Sequence, residues 1–124
     1  MVFNSYSKIN LTLTINSKKK SGLHEIQSYY CLINLNDKIK IKKINNKKDK
    51  IYFKGPFAKY VKRSDNSIIN LLSFLRKQKL ISNFYSIIVN KKIPVFGGLG
   101  GGASNAVGIL KSLGKRKINK NIFN

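Results

Sequence analysis

The sequence contains few of the residues that form cross-links, hold metals or take part in nucleophilic catalysis. Its 124 residues include one cysteine, Cys31, which excludes an intramolecular disulfide and a zinc site built on several thiolates. The single histidine, His24, would have to serve in any Ser–His or Cys–His catalytic arrangement. With only 2 prolines, the chain is neither a proline-rich nor a collagen-like polymer.

Acidic side chains are equally scarce. The chain has 4 Asp and Glu residues against 25 Lys and Arg, for a formal net charge of +21. So few carboxylates leave little material for a metal site built on them, or for the paired carboxylates of a glycosidase. We therefore predict no metal-ligating cluster in this sequence.

The excess of positive charge has two explanations. A strongly basic chain is typical of nucleic-acid-binding proteins. However, 22 of the 25 basic residues are lysine, and lysine together with 17 Ile and 15 Asn, all encoded by A/T-rich codons, accounts for 54 of the 124 residues. Recognition of phosphates and bases favours arginine. We therefore favour a biased base composition over nucleic-acid binding, and we expect the charge to attract small anions such as a nucleoside triphosphate.

Long apolar runs are absent from the sequence. No run approaches the roughly 20 residues that a membrane-spanning helix needs. The first residues do not have the pattern of a secretory signal, in which a basic segment precedes an apolar one. We therefore expect a cytoplasmic protein without a membrane partner.

Hydrophobic periodicity first predicts strands. Apolar and polar residues alternate over 8–15, which is typical of a strand and places Lys8 and Asn10 together on the face away from the core. Further strands are predicted over 24–35, 37–44, 51–54 and 85–89.

Two helices are predicted in the second half of the chain. The period changes to that of a helix over 62–79, with Ser64 or Asp65 as the N-cap. A second helix is predicted over 103–113, directly after a glycine-rich loop. This order of elements predicts an α+β fold in which the helices pack on one face of a mainly antiparallel sheet.

The glycine-rich loop is the most informative segment. Residues 94–106 read PVFGGLGGGASNA and include five glycines. Each glycine increases the backbone entropy that is lost on folding, and it has no side chain to pack. A loop with so many glycines is therefore expected where the main chain must approach a ligand closely. The loop ends at the start of a helix, where free N–H groups and the helix dipole favour anions. We predict a phosphate-binding loop; the alternative is a tight strand-to-helix connection capped by Ser104.

Three common phosphate loops fit this segment poorly. A Walker A loop requires Gly-Lys-Ser/Thr, and no lysine stands at that place. The spacing Gly98-x-Gly100-x-x-Ala103 satisfies the degenerate dinucleotide pattern, but the acidic residue expected about 20 residues further on is absent. A protein-kinase loop would lie near the start of its domain and precede a strand lysine.

The pattern Pro-x-x-x-Gly-Leu-Gly-Gly-Gly-Ala-Ser-Asn-Ala over 94–106 resembles the phosphate loop of the GHMP small-molecule kinases. Three further segments resemble one member of that family in order and spacing: KINLTL over 8–13, SGLHEIQS over 21–28 with LNDKI over 35–39, and DNSI over 65–68. That member phosphorylates the 2-hydroxyl of a cytidine-diphosphate-linked methylerythritol in the non-mevalonate isoprenoid pathway. The resemblance covers about residues 6–113.

The resemblance implies an α+β, ribosomal protein S5 domain 2-like fold with one layer of sheet and one of helix. The GHMP kinase N-terminal, ATP-binding domain would span 1–113, followed by a basic, frayed tail over 114–124. The implied protein is an ATP-dependent kinase of a small-molecule alcohol, with Mg²⁺ bridging the phosphates.

The resemblance also assigns site residues. Lys8 would be the active-site lysine, which stabilises the transferring phosphoryl group. Asn10 and His24 would bind the substrate, with His24 hydrogen-bonded to the cytosine. ATP would be held by Lys91 and by the loop residues Pro94, Val95, Phe96, Gly97, Gly98, Leu99, Gly100, Gly101, Gly102, Ala103 and Ser104.

The chain departs from the family pattern in sequence and in length. Leu23 stands where the family has a tyrosine, Ser21 where it has an aspartate, and Ala103 where serine is common. Family members are roughly twice as long, and their catalytic aspartate lies in a Gly-Ser-Asp-Val-Pro segment that this sequence does not contain. We therefore expect an N-terminal fragment that lacks a general base, is inactive alone, and exposes apolar surface where the rest of such a protein would dock.

Two alternatives stay open. The first is a basic RNA-binding module on an S5-like fold, which predicts steeply salt-dependent binding. The scarcity of arginine argues against it, as does the position of Tyr29, Tyr30 and Phe53 in strand patterns typical of a core. The second is a GHMP kinase for another small alcohol, in which a cytosine-reading histidine is unnecessary.

Overall fold

A long antiparallel hairpin forms one side of the sheet. The structure is a computed structural model that describes residues 1–114, and in it β1 (Val2–Lys18) pairs with β2 (His24–Ile44) along most of its length. Within this described part of the chain, β1 pairs with β2 alone and is therefore an edge strand. The tail predicted over 114–124 lies, apart from Gly114, outside the described residues.

The two strands predicted over 24–35 and 37–44 are one continuous strand, β2. A β-bulge takes the place of the predicted break, because Tyr6 pairs with Asn36 whereas the next residue, Ser7, pairs with Ile33. The Ser7 hydroxyl donates a 2.7 Å hydrogen bond to the carbonyl oxygen of Leu35 within the bulge. The carbonyl group of Leu35 has no partner in the strand pairing, and this bond satisfies it. The strand therefore continues through the bulge without a turn.

The rest of the sheet comes from two shorter strands. β4 (Phe84–Asn90) lies between β2 and β3 (Lys50–Lys54), antiparallel to the first and parallel to the second. A parallel pair requires a crossover connection, which a 3-10 turn (Ala58–Tyr60) and α1 (Ser67–Lys77) supply. α2 (Gly101–Leu113) follows β4. The strand order β1-β2-β4-β3 has two antiparallel pairings out of three, as predicted.

The core lies between the sheet and the two helices. Alternate residues of β2 and β4 face the helical layer, so that Ile39 lies beside Val89 and Ile41 beside Ile87. The central residues are at most 4% exposed, and they are Ile39, Ile41, Ile68, Leu72, Ile87, Val89 and Ile109. Burying one such side chain contributes about 1.5–3 kcal/mol. No helix within residues 1–114 combines the length and apolar character needed to cross a membrane.

The N-cap of α1 is Asn66, so the prediction of Ser64 or Asp65 is wrong by one or two residues. The Asn66 side-chain oxygen accepts hydrogen bonds from the backbone N–H groups of Ile68 and Ile69, at 3.1 and 3.2 Å. Asp65 instead accepts a hydrogen bond from the side-chain amide of Asn70. Asn66 has the extended backbone of an N-cap, with φ −150° and ψ 168°.

The outer part of the hairpin extends past the helices and leaves its apolar side chains exposed. The residues of β1 that the alternation assigned to a core are 40% to 66% exposed: Ile9, Leu11, Leu13 and Ile15. The helices pack on the inner part of the hairpin, through residues such as Phe3 and Ile39. The alternation therefore predicted the strand correctly and its burial wrongly, since burial depends on what covers the strand.

Two of the three aromatic residues expected in a core are also exposed. Tyr29 and Tyr30 lie on the outer part of β2 and are 75% and 61% exposed, whereas Phe53 is partly buried against the core. The argument against RNA binding that used these tyrosines is therefore wrong. The scarcity of arginine is unaffected by this finding.

We expect Asn66→Ala to lower the free energy of unfolding by about 1 kcal/mol, because two N–H groups in the first turn of α1 lose their acceptor. Asp65→Ala is the matched control, and its effect is expected to stay within about 0.5 kcal/mol because its side chain is exposed. Urea unfolding followed by circular dichroism measures both. Equal losses in the two variants would contradict the assignment of Asn66 as the cap.

Candidate functional site

The glycine-rich loop joins β4 to α2 and ends at Gly100, whose backbone has the left-handed conformation. α2 begins at Gly101, two residues before the predicted start, and its N-cap is Gly100 with φ 69° and ψ 18°. This backbone conformation is strained for residues with a Cβ atom and is unstrained for glycine. Ser104 lies inside the helix, where its hydroxyl donates a 2.8 Å hydrogen bond to the carbonyl oxygen of Tyr6. The alternative in which Ser104 caps the connection is therefore wrong.

The N–H groups of the loop are left free, while several of its carbonyl groups accept hydrogen bonds. In the described part of the chain, no backbone N–H from Gly97 to Ala103 donates to a protein acceptor. The carbonyl oxygen of Leu99 accepts from the N–H of Lys8 at 3.0 Å, and that of Gly102 accepts from the Ser67 hydroxyl at 3.0 Å. A row of free N–H groups at a helix start is an anion-binding arrangement.

A cavity of about 430 Å³ lies in front of the loop. This volume falls within the range of about 300–1,000 Å³ that is typical of small-molecule sites. The loop forms one wall, and the start of α1 with Phe53, Tyr60 and Val61 contributes to the others. Aromatic and aliphatic side chains beside free N–H groups suit a ligand that has both an apolar ring and an anionic group.

The loop tip carries an exposed aromatic side chain on a strained backbone. Phe96 has φ 68° and is 91% exposed. Gly98 has the same left-handed φ, and a Cβ atom added there would meet nothing within 4 Å. The requirement for glycine at position 98 is therefore one of backbone conformation and not of space. Non-glycine residues in this region tend to occur at functional sites.

Lys8 lies directly against the loop. Besides the bond from its N–H to Leu99, its side chain runs along Gly100, where an added Cβ atom would lie 3.1 Å from the Lys8 Cε. The Lys8 ammonium group lies 5.4 Å from the centre of the Tyr30 ring. Strand pairing keeps Asn10 on the same face, because Lys8 pairs with Leu32 and Asn10 with Tyr30 without a register shift between them.

His24 lies far from the loop. It is the first residue of β2 and pairs with Lys18 near the tip of the hairpin. Lys8 pairs with Leu32, eight residues further along β2, which corresponds to roughly 26 Å at about 3.3 Å per residue. The structure thus places Lys8 against the loop, with Asn10 two residues further along the same face of β1, and does not bring His24 to them. Leu23, which precedes His24, is 69% exposed.

A buried carboxylate that the sequence reasoning missed lies behind the loop. Asp37 is 0% exposed, and its Oδ1 accepts hydrogen bonds from the backbone N–H groups of Lys92 and Ile93, at 2.7 and 2.9 Å. Its Oδ2 accepts from the Lys91 ammonium group and, at 2.9 Å, from the Asn105 side-chain amide. The available signal was the alternation 37, 39, 41, which places this acid on the strand face that points to the core.

The family model for the GHMP kinases N terminal domain matches residues 60–121, half of the chain. The chain belongs to the GHMP kinase family. This confirms the family predicted from the glycine-rich loop and the three other segments.

Three relatives of this chain share the name of one kinase. A 4-diphosphocytidyl-2-C-methyl-D-erythritol kinase from Pelagibacter ubique is 42% identical over 117 residues, which are 94% of this chain and 41% of the relative. The enzyme of that name from Finegoldia magna is 35% identical over 106 residues, covering 86% of this chain and 37% of the relative. A tomato (Solanum lycopersicum) relative, named as chloroplastic/chromoplastic, is 38% identical and covers 80% and 24%. The chain therefore spans about two fifths or less of the length of these relatives.

Solved structures of GHMP kinases share the fold. A 4-(cytidine 5'-diphospho)-2C-methyl-D-erythritol kinase superposes with a TM-score of 0.68 at 23% identity, covering 95% of this chain and 42% of the other. Homoserine kinase from Cytophaga hutchinsonii gives a TM-score of 0.62 at 15% identity, covering 96% and 38%. The predicted α+β fold of a GHMP kinase N-terminal domain is confirmed. The predicted domain limits and the predicted roles of individual residues stay predictions.

The residues of this GHMP kinase domain fit a nucleotide with its cation. No group of three or more His, Cys, Asp or Glu residues that could hold a metal ion occurs within residues 1–114. A Mg²⁺ ion bound with a nucleotide takes most of its ligands from phosphate and water, so such a group is not needed. Asn105 is one of the residues that line the cavity, and its buried Oδ1 atom has no hydrogen-bond partner among the described residues.

We expect Gly98→Ala to lower the free energy of unfolding by about 1 kcal/mol, because alanine is strained at a φ of 68° although space is available. Gly98→Asn is the comparison, since asparagine tolerates the left-handed region better, and it should cost less. The urea midpoint of each variant gives the result. If both variants unfold at the midpoint of the parent chain, the loop does not hold this conformation.

Proposed function

We propose that this chain forms the ATP-binding part of a kinase that phosphorylates the 2-hydroxyl of 4-diphosphocytidyl-2-C-methyl-D-erythritol, in isoprenoid biosynthesis. The observation that carries the proposal is the row of free N–H groups from Gly97 to Ala103, with Lys8 packed against it. The names of the relatives support the substrate, and their greater length makes the activity a property of a longer protein.

In this proposal the loop binds the ATP phosphates. The segment from Pro94 to Ser104 surrounds the triphosphate, and its free N–H groups donate to the phosphate oxygens. The apolar wall formed by Phe53, Tyr60 and Val61 accepts the nucleotide base. Mg²⁺, when bound with the nucleotide, neutralises part of the phosphate charge.

Lys8 stabilises the phosphoryl group in transfer. Its side chain runs along Gly100, so its ammonium group is within reach of a phosphate that the loop holds. A cation held by neighbouring structure stabilises the charge that develops during transfer. Asn10, on the same face of β1, is placed to orient the accepting hydroxyl group. Lys91 has a different environment, because its ammonium group is buried against Asp37.

The substrate lies along the hairpin. The face of the hairpin that carries Lys8, Asn10 and Tyr30 is exposed and leads towards His24 at the tip. In this arrangement the hydroxyl group to be phosphorylated lies near Lys8, and the cytosine lies further along the hairpin towards its tip. An extended substrate of this kind is shorter than the roughly 26 Å that separates Lys8 from His24, so the proposal includes no contact between His24 and the cytosine. The leucine at position 23 offers no aromatic face, so stacking on the cytosine has to come from another side chain.

The general base is proposed to lie outside the matched segment. All four acidic residues are described, and none is next to Lys8: Asp37 pairs with Lys91, Asp49 with Arg76, Asp65 with Lys62, and Glu25 lies near the hairpin tip opposite Ser17. The relatives are more than twice as long as the matched region. We therefore propose that the chain binds ATP and that transfer needs a carboxylate supplied by the remainder of the longer protein.

We expect Gly100→Val to abolish ATP binding, because valine is strained at a φ of 69° and its Cβ atom would lie 3.1 Å from the Lys8 Cε. Lys8→Ala should keep much of the affinity for ATP, since in the proposal its main role comes during transfer. Isothermal titration calorimetry measures both affinities.

Lys40→Ala is the matched control for the loss of one positive charge. Lys40 is exposed and lies on the face of β2 that points away from the helices, since its neighbours Ile39 and Ile41 are in the core. This variant should bind ATP like the parent chain. An unchanged ATP affinity in Gly100→Val would refute the assignment of the loop.

A further inference from the structure

The two ends of the glycine-rich loop meet at one carboxylate. Lys92 and Ile93 directly precede Pro94, and their N–H groups donate to Asp37 Oδ1. Asn105 directly follows Ser104, and its side-chain amide donates to Asp37 Oδ2. The two oxygens of one carboxylate thus fix the separation between the start and the end of the loop.

The environment of Asp37 makes this connection rigid. A fully buried carboxylate is costly unless its charge is paired and its oxygens accept hydrogen bonds. Asp37 is 0% exposed, and it has both the ammonium group of Lys91 and three N–H donors. Because Lys91 is itself only 4% exposed, movement of either end of the loop would leave a buried charge without its partners.

We infer that Asp37 is a positioning residue of the phosphate loop. It holds the two ends of the loop at the separation seen in the structure, in which the N–H groups from Gly97 to Ala103 are free to bind an anion. Such preorganisation raises affinity, because the loop does not have to be ordered when the ligand binds. The inference rests on the proposed function in one respect, namely that the anion is the triphosphate of ATP.

A second, partly buried acid, Asp49, offers a control. Asp49 also accepts a hydrogen bond from a backbone N–H, that of Tyr85 at 2.8 Å, and forms a 2.7 Å ion pair with Arg76. It joins α1 to the start of β4 and has no contact with the loop among these bonds. If Asp37 had a structural role alone, its loss would resemble the loss of Asp49.

The test compares Asp37→Asn with Asp49→Asn. Both variants should have a lower urea midpoint, because each leaves a cation without its partner. Only Asp37→Asn should weaken ATP binding in calorimetry, by tenfold or more, while Asp49→Asn should bind as the parent chain does. Equal ATP affinities in the folded Asp37→Asn variant and the parent chain would overturn the inference.

Hydrogen exchange separates this inference from the proposed function. The amides of Lys92 and Ile93 should exchange faster in Asp37→Asn than in the parent chain, without any nucleotide present, whereas in Asp49→Asn these two amides should exchange as they do in the parent chain. Unchanged exchange at these two amides would also overturn the inference. If the parent chain does not bind ATP, and the two amides still exchange faster in Asp37→Asn than in the parent chain, the positioning role is supported. The proposal that ATP is the ligand is then refuted.

Asn105→Ala keeps the inference testable if Asp37→Asn does not fold. This substitution removes the bond at the α2 end and leaves the pair of Asp37 and Lys91 in place. We expect severalfold weaker ATP binding, faster exchange in the first turn of α2 and unchanged exchange at Lys92 and Ile93. Parent-like affinity together with parent-like exchange in α2 would contradict the connection described here.

Discussion

The interaction on which the rest of the structure depends is the burial of one carboxylate among four donors. Asp37 connects β2 with the segment that follows β4 and with the first turns of α2, so it joins sheet, loop and helix at a single point. The same strand face continues with Ile39 and Ile41 into the hydrophobic core. The position of the loop is therefore set by the same strand that organises the packing of the domain.

Two lysines near the loop show how environment decides the role of a residue type. Lys91 is buried and its charge is balanced by Asp37, so it contributes to the stability of the loop. Lys8 runs along Gly100 and is exposed, and no acid among the described residues pairs with it. In a chain with 22 lysines, position in the fold distinguishes these two from surface charges.

The sequence predicts local features well and tertiary ones poorly. Periodicity was sufficient for the strand over 8–15 and for α1, because both patterns reflect the backbone geometry itself. The continuity of β2 depends on a hydroxyl group from β1, and the exposure of the outer hairpin depends on which elements pack there. Neither feature can be predicted from a local sequence pattern. The proximity of Lys8 to the loop was predicted from family resemblance, whereas the hydrogen bonds of Asp37 depend on tertiary packing that no local pattern shows.

The outer edge of β1 has a consequence for the behaviour of the chain in solution. β1 pairs on one side only within residues 1–114, and its outer part carries exposed apolar side chains, a combination that favours self-association through intermolecular β-pairing. Mutual repulsion between molecules with a formal charge of +21 opposes that association. Salt shortens the range of this repulsion to about 8 Å at physiological ionic strength. The lysine surplus thus gives colloidal protection to an aggregation-prone edge, and this protection weakens as ionic strength rises.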